Sequence, residues 1–136
     1  LSYTLLKKVG EREIYYLGKS QMQLRKCDYE DCIETCNYAI ALDSTLVDAY
    51  YNKGLSYLNM AIIFAETACS DIRNPKCKRD RIKLQGLYNY ARQPIEQVRK
   101  LKPDDVKRWA PILYKIYLYL NLGDEFAEIE QLLKNA

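Results

Sequence analysis

The chain has 136 residues, 49% of them apolar and 29% charged, with only five glycines and four prolines. That suits one helix-rich domain with its own core and excludes collagen-like or disordered classes; no apolar run approaches the length of a membrane span, so no membrane insertion is expected. A net charge of +3 is too small to imply an acidic partner, and the absence of histidine removes the usual general base and the commonest neutral metal ligand.

Residues 1–9 have the look of a helix tail, with Gly10 as its C-terminal stop. The sequence begins at Leu1 without a signal-peptide pattern and reads as a piece of something longer. Tyr15-Tyr16-Leu17-Gly18 opens the next element. Asp28 to Ser44 places small residues, Cys32 and Ala39, seven apart, with Cys36 between them. Val47 to Tyr57 comes next, with Tyr50, Gly54 and Tyr57 at regular spacing; Gly54 suits a close helix approach. Ala61 to Ser70 is helix-compatible. Asp71-Ile72-Arg73-Asn74-Pro75-Lys76 is a breaker loop, and Asp80 is suited to cap the long helix after it. Ala91, Ile95, Val98, Leu101 and Pro103 carry a second apolar pattern. Trp109 lies six residues past Pro103, followed by Ile112 and Ile116. In Gly123 to Leu133, Phe126, Ile129, Leu132 and Leu133 share one side of an amphipathic helix.

These patterns resemble the tetratricopeptide repeat (TPR) family, in which each repeat of about 34 residues is a helical hairpin. Asp28 to Ser44 resembles a second helix, and Val47 to Tyr57 resembles the first helix of the next repeat. Lys53 stands where Leu is usual, and Ser44 where Pro usually ends a repeat. Tyr88-Asn89-Tyr90-Ala91-Arg92-Gln93-Pro94 and the long middle repeat resemble C-terminal parts of bacterial multi-repeat TPR proteins. From Ser44 to Pro103 there are roughly 25 residues beyond one repeat, covering about 61–84.

The resemblance implies an all-α, right-handed α-solenoid of antiparallel helix hairpins over 1–136, with an elongated middle repeat and a C-terminal capping helix. Its units are a remnant of a preceding repeat at 1–10, a repeat at 11–45, an enlarged repeat at 46–103, and a last repeat with cap at 104–136. The implied helices are 11–26, 28–42, 46–70, 79–101, 104–121 and 124–134. Pro94 and Pro111 are expected to bend theirs, because each lacks an N–H and crowds the carbonyl four residues earlier. Trp109 is expected to be buried between helices.

Function follows as an expectation from the same register. First-helix positions that face the concave groove are Tyr15, Lys19 and Met22, then Asp48, Tyr51, Leu55, Leu58 and Asn59, then Lys107, Tyr114 and Tyr117. Tyrosine pairs an apolar body with a polar tip, which suits recognition. Asn52 and Lys107 also match two places of the carboxylate clamp of chaperone-binding TPRs, but Tyr15, Lys19 and Pro111 occupy the remaining places and do not complete it. The expected activity is non-catalytic binding of a protein or peptide. The alternative is a structural scaffold or oligomerisation segment, self-associating through the N-terminal edge near Leu5, Leu6 and Val9.

Competing chemistries are weaker. Cys32 and Cys36 lie on one helical face with Cys27 one turn before, but the spacing is not that of a zinc knuckle and Cys32 and Cys36 fall on packing positions, so no metal or other cofactor is expected. Cys69 and Cys77 flank a loop and could pair under oxidising conditions; reduced thiols fit better, which favours the cytoplasm slightly over the periplasm. Arg73 to Lys83 holds six basic residues against one Asp, without the aromatic interleaving of single-strand binders, so nucleic acid is not expected. No phosphate loop, His dyad or nucleophile elbow is present, and the chain does not read as an enzyme.

Overall fold

A computed structural model describes residues 3–69 and 71–136; the regular elements among them are all helices, with no strand. Six helices follow in order: α1 (Tyr3–Arg25), α2 (Tyr29–Leu42), α3 (Val47–Thr67), α4 (Pro75–Leu101), α5 (Val106–Leu120) and α6 (Gly123–Asn135). Each packs chiefly on its neighbours in the chain, and α1 also touches α3. None of the described helices is long and apolar enough to cross a membrane.

Several boundaries differ from expectation. Gly10 ends nothing: α1 passes through it without a break. No neighbour lies within 4 Å of where a Gly10 Cβ would be, and the intrinsic cost of about 1 kcal/mol for Gly inside a helix is tolerated. The stop comes at Cys27, in the left-handed region with φ 63°. The Asp28 N–H reaches the Gln23 carbonyl at 2.9 Å and the Cys27 N–H reaches Leu24 at 3.1 Å, closing a Schellman motif. Asn121, with φ 57°, ends α5 the same way through Leu122 to Tyr117 and Asn121 to Leu118.

Asp80 does not cap α4. Asn74 does, its side chain accepting the Lys76 N–H at 3.0 Å, with Pro75 at the first helical position; there the missing proline N–H costs nothing. Asp80 instead accepts the Cys69 N–H at 2.8 Å, fastening the end of α3 to α4. Ser70, the expected end of the third helix, lies outside the described residues, and α3 ends at Thr67. Cys69 and Cys77 are joined in a disulfide, with Cα atoms 4.7 Å apart, so the expectation of reduced thiols does not hold at this pair.

Pro94 and Pro111 sit inside unbroken α4 and α5. Trp109 is buried, 2% exposed, and its indole N–H donates to the Lys102 carbonyl at 3.0 Å. Around it Leu58, Ala91, Ile95, Val98, Leu113, Ile116 and Ile129 form the main apolar core, drawn from α3 to α6. Gly54 lets α3 and α4 meet, because Ile95 fills the space a Cβ would need.

The junction of α1, α2 and α3 is built from small polar side chains. Asn52 Nδ2 donates to Ser20 Oγ at 3.1 Å, Ser56 Oγ donates to the Asn52 carbonyl at 2.8 Å, and the Cys32 thiol donates to the Ser20 carbonyl at 3.2 Å. Ser20, Cys32, Cys36 and Ser56 have no exposure. The hydrogen bond with Cys32, and then burial, push the Cys36 thiol up, so it stays protonated and packs as a small hydrophobe.

Candidate interaction site

Alternate helices are tied directly. The Asn52–Ser20 bond links α3 to α1. Arg108 on α5 reaches Asp48 on α3 at 2.7 Å and lays its guanidinium 4.1 Å from the Tyr51 ring centroid, a cation–π contact as well as an ion pair. The ion pair itself is surface-exposed on the Asp48 side, 60%, so its net worth is small. Its role is geometric, since it pins Tyr51 against α5.

The expected groove residues divide into three groups. Tyr15 and Lys19 are exposed on α1, with the Lys19 ammonium 5.9 Å from the Tyr15 ring centroid; Met22 and Lys107 are exposed as well. Tyr51, Leu55 and Asn59 are partly buried on α3, with Tyr51 and Leu55 packed on the main core. Asn52, Leu58 and Tyr117 are buried. Asn52 is committed to Ser20. The Tyr117 hydroxyl donates to Glu96 at 2.8 Å, and burial, then that bond, raise its pKa. Neither side chain has a free face to offer a ligand. Tyr114 lies between: its ring meets Phe126 of α6 at 4.7 Å and packs on the core.

Other tyrosines join adjacent helices in stacked pairs: Tyr16 with Tyr38, Tyr57 with Tyr90, and Tyr88 with Tyr119, the last with centroids 4.0 Å apart. Much of the tyrosine content therefore holds helices together.

Three features were not read from sequence. Arg108, next to the expected Lys107, is the residue that spans α3 and α5. Arg92 and Glu96 form an i,i+4 pair at 2.6 Å that carries the Tyr117 hydroxyl; the spacing alone signals the pair but not its tyrosine. The third is a cleft of about 600 Å³ between α1 and α2, lined by Tyr15, Tyr16, Lys19, Gln23, Glu34 and Tyr38 among others. The Gln23 side-chain oxygen is buried without a hydrogen-bond partner. Ile14, Met22 and Tyr38 are exposed on the same two helices. The side chains of Leu5 and Leu6 lie outside the described residues; Val9 is partly buried.

Among the described residues no group of three or more His, Cys, Asp or Glu side chains is placed to hold a metal. Cys27 is exposed, apart from the buried Cys32 and Cys36.

No protein-family model matches the chain, and no curated protein and no solved structure matches it.

Proposed function

We propose that the chain is a TPR-like right-handed helical solenoid with a non-catalytic role, binding a protein or peptide segment along the side where α1, α3 and α5 lie next to one another. The observation that carries the reading is the pair of direct ties between alternate helices, Asn52 to Ser20 and Arg108 to Asp48 and Tyr51. In a stack of hairpins every first helix meets the first helix of the next hairpin, and the free sides then form one groove. The contact surface so defined is Tyr15, Lys19 and Met22 with Tyr51, Leu55, Asn59 and Lys107. It offers aromatic and aliphatic area with a few polar ends, and few charges for long-range steering. Binding should therefore be modest in affinity and weakly dependent on salt.

A second reading is favoured by the exposure of Ile14, Met22 and Tyr38 on α1 and α2, with an unpaired Gln23 oxygen in the cleft between these helices. Exposed apolar side chains beside a polar cleft suit stacking against another helical hairpin, as a scaffold or oligomerisation segment would require.

Site-specific photocrosslinking separates the two. A crosslinker placed at Asn59 or Lys107 should capture a cellular partner, and an Asn59→Ala/Lys107→Glu variant should lose it while retaining its helical circular dichroism. Crosslinks that form only from Ile14 and Tyr38 would move the site to the edge.

A further inference from the structure

The end of the α3–α4 hairpin extends past the shared core. From their residue counts, α3 and α4 run about 32 and about 41 Å, against about 21 and about 23 Å for α2 and α5. Between Ile62 and Gly86, Cys77 is the sole buried residue among those described. The Cys69–Cys77 disulfide and the Asp80 bond to the Cys69 N–H hold the two helices together at this end.

The projecting part carries the whole net charge of the molecule. Residues 62–86 hold six Lys and Arg against three Asp and Glu; the other fifteen basic side chains are balanced by fifteen acidic ones. None of the six cations takes part in an ion pair among the described residues, where the pairs involve Arg92, Arg99, Arg108 and Lys134. Two of the three local carboxylates are occupied with backbone, Asp71 accepting the Arg73 N–H and Asp80 that of Cys69. Arg73, Lys76, Lys78 and Arg79 are exposed. Exposed isoleucines accompany them: Ile62, Ile63, Ile82 and, in the α3–α4 connection, Ile72, the most exposed large apolar side chain described, at 79%.

We infer that this hairpin end docks peripherally on an anionic phospholipid surface, its exposed cations against lipid phosphates and Ile72 in the headgroup layer. Charge complementarity names the sign of the partner, since unpaired cations gain most from a dense anionic field. Shape and apolarity name its class. The cleft at this end, about 640 Å³, is lined by Cys69, Asn74, Pro75, Lys76, Arg79 and Asp80, with no large apolar side chain to hold those of a peptide, whereas the exposed isoleucines stand outside that lining on a covalently clamped end. Basic residues around an exposed aliphatic side chain are the composition of interfacial contacts. The disulfide leaves little ordering to be lost on contact. This surface is separate from the α1–α3–α5 groove, and either site stands or falls alone.

The test is cosedimentation of the full chain with vesicles of pure phosphatidylcholine and of two parts phosphatidylcholine to one part phosphatidylglycerol. The protein should bind the mixed vesicles, ignore the neutral ones, and be released as salt shortens the Debye length. Lys78→Gln/Arg79→Gln should weaken partitioning about 25-fold, at about fivefold per cation. Ile72→Ser should weaken it about tenfold. Equal binding to neutral vesicles, or no binding to anionic ones, overturns the inference, and neither outcome depends on a variant. So does preference for soluble polyglutamate or single-stranded DNA over anionic vesicles, which would make the partner an acidic protein or a nucleic acid.

Discussion

Gly54→Ala should destabilise the fold although Ala is the better helix former. In the interior of α3 the substitution gains about 1 kcal/mol of helix propensity. The new methyl, however, would lie 2.5 Å from Ile95 Cγ1 and 3.5 Å from the Ala91 carbonyl oxygen. Ordinary carbon contacts are about 3.5–4 Å, so α3 and α4 must separate by about 1 Å or Ile95 must leave its rotamer. Ile95 has no exposure, and Cγ1 is held close to the backbone, so it has nowhere to swing. Overpacking of this kind costs about 1–3 kcal/mol, and a rigid obstacle puts the site at the upper end. The net expectation is a loss of about 2 kcal/mol. Ile95→Ala alone should cost about 3 kcal/mol through the cavity it opens. In the double variant the methyl added at position 54 fills part of that cavity, so the two losses should fall short of additivity by about 2 kcal/mol or more. Urea unfolding followed by circular dichroism measures all four corners of the cycle. A Gly54→Ala protein as stable as the parent, or a cycle additive within about 0.5 kcal/mol, would refute the close-packing argument.

Trp109→Ala should cost about 3–5 kcal/mol, and an unchanged urea midpoint would contradict its buried position. Cys27→Gly should raise stability by about 1 kcal/mol in the same assay, since it relieves a left-handed residue that carries a Cβ. The fold should weaken above the ordinary tyrosine pKa of 10. Tyr117, Tyr57, Tyr88 and Tyr119 all have raised values, chiefly from burial. Their contribution is whole below pH 10 and is lost as pH rises, because the unfolded chain gives up those protons first. Tyr117→Phe should flatten that alkaline loss in a pH series of urea midpoints. Replacing both Cys69 and Cys77 by Ser should remove up to about 2.5 kcal/mol of local stability on the loop-entropy relation, for a separation of eight residues. Hydrogen exchange should then quicken over 62–86 and stay unchanged over 91–98.

Helical class, order and the core positions at Gly54, Ile95 and Trp109 were legible because they rest on spacing within a helix and on residue size. Endings were less so. Gly10 looks like a stop only if the chain leaves the helix there, and nothing near it forces that. Cys27 gives no signal, since its left-handed turn is imposed by where α2 must start. Asn74-Pro75 reads equally as a breaker and as a cap followed by a first-turn proline, and the Asp80 carboxylate was drawn to the Cys69 N–H instead. At the candidate site, Tyr15, Lys19 and Lys107 are exposed, while Asn52 and Tyr117 are consumed by Ser20 and Glu96. Those partners lie 32 and 21 residues away, beyond what a periodic pattern reports. The same distance hides Arg108 over Tyr51.

The neighbour-by-neighbour packing of the six helices also bears on how the chain is made. Each helix packs on the helix just before it, and no extensive contact skips more than one helix. Such low contact order goes with folding in microseconds to milliseconds, far faster than a ribosome adds residues at about 5–20 per second. Each emerging helix therefore meets a surface that is already formed, and no apolar face waits for a distant segment to be synthesised. The exception is α3. Its last six residues, Ile62 to Thr67, carry two exposed isoleucines and pair with the first turns of α4, so they stand unaccompanied until those turns have left the exit tunnel.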